Sequence, residues 1–312
     1  MLRKWLGLLL VLLLTANTAL AAGNHIQKQC HLDGADLFLD ADIVDTKIGT
    51  LPIYEISQEE WYEYEMPDIF FGGKDYELTY MQGNKGALLP CYITEDHDSL
   101  LVYSGKFSYE TIRGAEIYHH LYVLDTEPFI VEKVPDITED EALNLVLELT
   151  QKLNIEIALE QAIIHGIRIG AGEDEHVFYY IKVPFAYQGV RIMPTLFVMD
   201  SLEYCGDNGD LEVYITADGI EYAFVNGVYW RAGSIIEEIN ILSQDEAIEA
   251  FITYMDSMLH TNDITITEIV LEYVPIPNTG KSRKKTLAPV WTFYVDDYAY
   301  AHIDAATGLI ID

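Results

Sequence analysis

An alternation of apolar and polar positions marks the first clear element of this chain, residues 36–44. Apolar residues occupy every second position, at Leu37, Leu39, Ala41 and Ile43. Asp40 and Asp42 lie between the last three of them. Successive side chains of a strand point to opposite faces, so this pattern predicts a half-buried β-strand.

The next segment carries a helix-start pattern. Ser57 is followed three residues later by Glu60, which is the spacing of a capping box. We expect a helix from Ser57 to about Phe70, ending near Gly72 and Gly73, with Met66-Pro67 interrupting or kinking it.

Residues 74–135 are expected to be mostly strand. The clearest apolar runs are residues 101–103 and 117–124, separated by turn glycines. The second run contains His119 and His120. Neighbours on a strand point to opposite faces, so the two imidazoles would not share one metal ion.

An internal repeat is the most informative feature of the sequence. Ile137–Leu143 matches Leu242–Ile248 position by position, and each segment has an apolar residue, a hydroxyl residue and then a Glu three residues on. Both segments predict a capped amphipathic helix. Strands are expected after each helix, at residues 156–169, 176–193 and 211–225 in the first copy and 264–274, 289–295 and 300–311 in the second.

These elements predict an α+β protein in which antiparallel sheets are each covered by a helix. The expected organisation is a signal peptide at 1–21, an N-terminal α+β region at 23–135 and two repeated units at 136–235 and 236–312.

The second unit resembles the PepSY domain. The resemblance rests on Ser243–Ala247, on the strand Pro289–Val295 and on the closing segment Ile303–Ile310. It extends to the YycH/YycI-type extracytoplasmic regulators and covers about residues 137–312. It implies inhibition or regulation of proteases and kinases outside the cytoplasm, without catalysis.

The whole chain is also similar to a family of uncharacterised exported proteins of clostridial-type Gram-positive bacteria, many of them lipoproteins. This resemblance rests on Asp40–Asp45, Leu51–Glu55 and Phe70–Gly72, and it implies no known activity.

The N-terminus has the order of a secretory signal peptide. Arg3 and Lys4 precede the apolar run Leu6–Leu14, and Ala19-Leu20-Ala21 supplies the small residues of a cleavage site. No Cys follows Ala21 directly, so we expect release outside the cytoplasm without a lipid anchor. An uncleaved N-terminal anchor is the alternative.

The formal net charge of −33 predicts repulsion from nucleic acid and from anionic membranes. It favours a basic protein partner or condensed cations, or it serves solubility alone. The acidic stretch could bind calcium weakly or form a solvated loop; its candidate ligands are Asp200, Glu203, Asp207, Asn208, Asp210 and Glu212. Lys281–Lys285 is a basic loop that either contacts an acidic partner or is simply exposed.

Cys30, Cys91 and Cys205 allow three pairings of one disulfide with one free thiol. The tryptophans Trp61, Trp230 and Trp291 are expected to pack in sheets rather than to line a ligand groove.

The sequence contains no zinc-protease, nucleophile-elbow or phosphate-loop motif. We therefore assign no catalytic residue, cofactor or metal site. The expected function is a non-catalytic binding or regulatory role in the cell envelope or outside the cell, exerted on an unknown extracytoplasmic protein. A cation- or glycan-binding envelope protein and a hydrolase with an unrecognised carboxylate pair are the alternatives.

Overall fold

The structure is a computed structural model. It describes residues 24–43, 49–59, 61, 66–82, 88–103, 105–124, 126–193, 209–277, 285–295 and 298–311. The chain forms two compact units. Unit 1 comprises residues 1–55 and 234–312, and unit 2 comprises residues 56–233. No helix of the described residues is long and apolar enough to cross a membrane.

Unit 1 is built on an eight-stranded sheet and one helix. The strands are β1 (Asn24–His31), β2 (Asp36–Ile43), β3 (Thr50–Gln58), β15 (Trp230–Asn240), β16 (Ile264–Pro277), β17 (Lys285–Val295), β18 (Tyr298–Asp304) and β19 (Ile310–Ile311). Helix α4 (Gln244–Asp256) belongs to this unit.

The sheet of unit 1 is mixed. Its order is β1-β2-β16-β17-β18-β19, and β3 pairs with both β15 and β17. The β2–β16 pair is parallel, with Leu37 opposite Ile264, whereas β1–β2, β16–β17 and β17–β18 are antiparallel. Helix α4 contributes Phe251 and Met255 to the core, where both side chains are fully buried.

Unit 2 contains the strands β4 (Tyr76–Gln82), β5 (Leu88–Thr94), β6 (Ser99–Tyr103), β7 (Lys106–Glu110), β8 (Phe129–Val131), β9 (Ile163–Ile169), β10 (His176–Pro184), β11 (Ala186–Tyr187), β12 (Val190–Arg191), β13 (Gly209–Thr216) and β14 (Gly219–Gly227). Its helices are α1 (Met66–Phe71), α2 (Ile112–Tyr122) and α3 (Glu139–Lys152), with short 3₁₀ turns at Leu159–Gln161 and Gly172–Asp174.

Nine of these strands form one antiparallel sheet in the order β4-β5-β6-β7-β14-β13-β10-β9-β8. Strand β13 is buried along its whole length. Helix α2 covers part of one face, where Ile117 packs with Phe178, Tyr214 and Tyr222. Helix α3 also packs against β13 and β14. Strand β13 has a buried residue at every position, which is typical of a central strand covered on both faces.

The predicted α+β class is wrong. The described residues form nineteen strands and four α-helices. Seventeen of the strands lie in one mixed and one antiparallel sheet, each far wider than a single helix, and β11 and β12 form a separate two-stranded sheet. The N-terminal segment forms no α+β region of its own, because β1, β2 and β3 join the sheet of unit 1 and β4–β7 join that of unit 2. Pairing between strands distant in sequence leaves no local pattern from which it could have been predicted.

Several local predictions are confirmed. In β2 the side chains of Leu37, Leu39, Ala41 and Ile43 are buried, and Asp40 is exposed. Both repeated segments form complete capping boxes, one with Thr138 and Glu141 and one with Ser243 and Glu246. Each capped helix is followed by antiparallel strands that are neighbours in the sheet, β9-β10-β13-β14 in unit 2 and β16-β17-β18-β19 in unit 1.

Two local predictions are wrong. Ser57 and Gln58 belong to β3, so they start no helix, and the helix of this region begins at Met66 with Pro67 in its first turn. A proline is compatible with a first turn because its missing N–H would have no helical partner there. Residues 117–122 form the end of helix α2 rather than a strand.

Candidate functional site

The first strand of unit 2, β4, is an open edge of its sheet. It pairs with β5 from Tyr76 opposite Thr94 to Gln82 opposite Leu88, and no described strand lies on its other side. All seven residues of β4 are exposed. An edge strand presents unpaired main-chain N–H and C=O groups, which can pair with an added strand.

One face of this edge is apolar. Tyr76, Leu78 and Tyr80 alternate along β4 and are 41, 46 and 58% exposed, and Leu88 on β5 is 68% exposed. The Tyr76 ring packs against the rings of Phe71, at 5.8 Å, and Tyr92, at 5.5 Å between centroids. The apolar face therefore packs, through Tyr76, against buried aromatic side chains of unit 2.

The other face is acidic and concave. A depression of about 420 Å³ lies beside β4 and β5, lined by Asp75, Tyr76, Glu77, Thr79, Ile93, Thr94, Glu95 and His97. The turn beneath it is closed by two main-chain bonds, from His97 N to Thr94 O and from Thr94 N to Asp98 O, both 3.0 Å long. His97 itself has a φ of 66°, which places its backbone in the left-handed region.

A second depression lies beside helix α2. It measures about 490 Å³ and is lined by His97, Ile112, Ala115, Glu116, His119 and His120. His97 lines both depressions, and we call the two depressions together the edge groove.

The start of α2 is fixed to the β13–β14 hairpin. Thr111 caps the helix by accepting a bond from Gly114 N, and its hydroxyl donates to Glu221 Oε2. Only glycine fits at position 114, because a Cβ there would lie 2.0 Å from the carbonyl oxygen of Glu221. The Arg113 guanidinium donates to Asp218 Oδ2 at 2.6 Å. These contacts hold the helical wall of the edge groove in place.

The helical conformation changes the geometry of the two adjacent histidines. Neighbouring residues of an α-helix are about 100° apart around its axis, so His119 and His120 do not point to opposite faces as they would on a strand. The His120 ring lies 5.8 Å from that of His176, whose Nε2 is 3.8 Å from Glu116 Oε2. Burial lowers the pKa of His176, and Glu116 partly opposes this shift. In the described part of the chain, no three His, Cys, Asp or Glu side chains are placed to hold a metal ion.

Two residues of the predicted calcium-binding or solvated loop lie in the interior of unit 2. Asp210 is fully buried, with Lys182 Nζ 3.4 Å from its Oδ2, and Glu212 Oε1 accepts from Asn226 Nδ2 at 3.3 Å. Burial raises the pKa of Glu212, and Lys182 and Asn226 act in the opposite direction. The solvated-loop interpretation is therefore wrong for these two acids, because β13 carries them into the sheet. Asp200, Glu203, Asp207 and Asn208 lie outside the described residues.

Of the cysteines, the basic loop, the signal peptide and the tryptophans considered in the sequence, some lie in the described part of the chain and others lie outside it. Cys30 and Cys91 have free thiols, and Cys205 lies outside the described residues, as do Lys281–Lys284 and the predicted signal peptide. Trp61, Trp230 and Trp291 are all buried, which confirms their predicted packing role.

The edge groove itself was not identified from the sequence, although one signal for it is present. Tyr76, Leu78 and Tyr80 alternate with Glu77 and Thr79, and this period of two predicts a strand with one apolar and one polar face. The pattern does not show whether such a strand lies inside a sheet or at its edge, because that depends on partners distant in sequence.

No protein-family model matches the chain, and no curated protein matches it in sequence. An uncharacterized protein from Eubacterium rectale ATCC 33656, known from a crystal structure, has a TM-score of 0.64 and 15% sequence identity over 92% of this chain and 93% of that chain. At this identity the likeness shows the fold alone. The C-terminal domain of YpeB from Bacillus megaterium has a TM-score of 0.34 and 12% identity over 82% of this chain and 97% of that chain.

Proposed function

We propose that this chain is an exported, non-catalytic binding protein that regulates another extracytoplasmic protein through direct contact. The observation that carries the proposal is the open edge β4, which exposes all seven of its residues. Natural sheets usually protect such edges with charge, proline or a covering element. Here the edge carries large exposed apolar side chains beside the single charged residue Glu77, including Leu78 and Tyr80.

Strand addition is the binding mode that this geometry favours. A partner segment in extended conformation would pair its main-chain groups with those of β4, and its alternate side chains would contact the two faces of the sheet. Affinity in this mode comes from the backbone ladder, and specificity comes from the side chains on each face. The acidic and the apolar face of the β4–β5 pair offer a distinct surface to each set of side chains.

The PepSY-like assignment is part of the same proposal. Two capping boxes start helices that lead into neighbouring antiparallel strands, one set in each unit. This repetition supports two related structural modules in one chain. We place the protein outside the cytoplasm because of the signal-peptide pattern in residues 1–21.

Site-specific cross-linking tests the proposal. A photo-activatable residue replaces Thr79 on β4 or, as the matched control, Ile130 on β8, the opposite edge of the same sheet. In the producing cell, the Thr79 position should give one defined protein adduct and the Ile130 position should not. A second variant, Leu78→Lys with Tyr80→Lys, should remove the adduct, because lysines on an edge disfavour strand pairing.

Folding is checked separately in these variants. All substituted side chains are exposed, so thermal unfolding midpoints should stay within a few degrees of the wild type. Equal cross-linking from both edges, or an adduct that persists in the double lysine variant, would refute the proposed use of β4.

A further inference from the structure

We propose that the segment accepted by β4 is a cationic strand of another protein, in which Lys or Arg alternates with apolar residues. This inference rests on the proposed function and adds the chemical class of the partner. It follows from the different chemistry of the two faces of one edge strand.

The concave face carries uncompensated negative charge. Asp75, Glu77 and Glu95 all line the depression beside β4 and β5, and within the described residues none of the three forms a salt bridge with a basic side chain. The adjacent Lys74 does not neutralise them, since its ammonium is 2.9 Å from Asp98 and 3.0 Å from Asp96. These two bonds raise the pKa of Lys74 and keep it charged in that position.

The acidic character continues along the edge groove. Glu116 lines the second depression beyond His97, and its carboxylate is 57% exposed. A concave surface lined by one sign of charge concentrates ligands of the opposite sign and raises their association rate.

The opposite face selects for apolar side chains. Tyr76, Leu78, Tyr80 and Leu88 are all at least 41% exposed on that side of the β4–β5 pair. An added strand points successive side chains to alternate faces. Its residues would therefore point in turn towards the face of Glu77, which also exposes Met81, and towards the face of Leu78 and Tyr80, which matches a basic–apolar alternation.

The charge of the whole chain supports a partner rather than a second copy in this position. With a net charge of −33, two copies meeting at their acidic edges would repel each other, whereas a cationic segment would be attracted over a distance of about 10 Å at moderate ionic strength.

Binding of synthetic peptides to the full chain tests the inference. The probe is a fluorescent eight-residue peptide with Lys alternating with Val, and its controls are the same peptide with Glu replacing Lys and the same peptide with N-methyl groups on alternate residues. Fluorescence anisotropy should show saturable binding of the first peptide alone, because the second has the wrong charge and the third cannot form the ladder.

Matched variants separate a specific site from general attraction. Glu77→Gln with Glu95→Gln should weaken binding of the Lys peptide by about tenfold at low salt. Glu237→Gln with Glu238→Gln makes the same charge change on two exposed residues of β15 and should weaken it by no more than about twofold. Equal effects of the two double variants would overturn the inference.

Two further results would also overturn it. Binding of the Glu peptide as tightly as the Lys peptide would show that charge does not select the partner. Self-association of the chain that disappears in the Leu78→Lys and Tyr80→Lys variant would assign the edge to a second copy. If cross-linking at Thr79 succeeds while the Lys peptide does not bind, the partner class is wrong and the proposed function stands.

Discussion

The rings of Phe251 and Phe293 stack nearly parallel, with centroids 4.1 Å apart and an angle of 13° between their planes. Both side chains are fully buried. Phe251 belongs to α4 and Phe293 to β17, so this contact joins the capped helix of unit 1 to the middle of its sheet. Aromatic pairs of this kind contribute more than their buried area alone.

Phe251→Ala should therefore lower the free energy of unfolding of the unit 1 core by about 3–5 kcal/mol, through lost burial and the cavity left behind. Guanidinium titration followed by circular dichroism measures the loss. Phe129→Ala, at a position 57% exposed on β8, is the control and should cost less than about 1 kcal/mol. Similar losses for both variants would contradict the packing described for Phe251.

The two capping hydroxyls should contribute similar stability. Thr138→Ala and Ser243→Ala each remove a side chain that accepts a bond from the third residue of the helix, and each should cost about 1 kcal/mol in urea titration. Thr253→Ala removes an exposed hydroxyl within α4 that donates to Glu249 O and should change stability by less than about 0.5 kcal/mol. Cap variants no more costly than this control would mean that the boxes do not form in solution.

The glutamate carboxyl groups of the same two capping boxes should titrate at unusually low pH. A backbone bond from Thr138, followed by its hydroxyl, lowers the pKa of Glu141, and the Ser243 hydroxyl, followed by the backbone, lowers that of Glu246. Their stabilising contribution is present above the ordinary pKa of Glu and is lost as the pH falls through the lowered folded-state pKa. Carboxyl ¹³C NMR titration should place both midpoints below the ordinary range of a Glu side chain, and the Thr138→Ala variant should return the Glu141 midpoint towards that range.

Glu212 should show the opposite dependence on pH. Because burial raises its pKa, the folded chain holds this proton more tightly than the unfolded chain. Its contribution therefore becomes less favourable as the pH rises from the ordinary range of Glu through the folded-state pKa. Glu212→Gln should gain stability relative to the wild type as the pH rises from about 4 to about 7. Urea titrations at several pH values measure this difference, and parallel curves for the two proteins would contradict it.

The described thiols should differ in reactivity. Cys91 is 3% exposed, and burial raises its pKa, whereas Cys30 is partly exposed. The thiolate is the reactive form, so in a Cys205→Ser background Cys30 should react with a disulfide reagent at least about tenfold faster than Cys91. The additional substitution Cys30→Ser identifies which thiol reacts first, and equal rates in the native protein would contradict the burial of Cys91.

The residues that sequence reasoning misread share a physical cause. Residues 117–122 have the apolar and aromatic composition of a strand, yet Thr111 caps a helix there and Ile117 packs against Phe178 and Tyr214. Ser57 has the spacing of a capping box, yet it lies in β3. In both cases contacts with distant residues outweigh a weak local preference. The edge groove depends on such contacts throughout, since β4, β5 and α2 border it together.

The sequence by itself determined the features that need only neighbours along the chain. The alternation in β2 and the two boxes at Thr138 and Ser243 form from residues within a few positions of one another, so their patterns were sufficient. Only the tertiary structure decided that β2 pairs in parallel with β16, that Asp210 and Glu212 are buried and that β4 is left at an edge. Those outcomes depend on which distant strands pair with each other. The free energy of pairing comes from contacts between these strands, and no local sequence pattern shows the order in which they lie in the sheet.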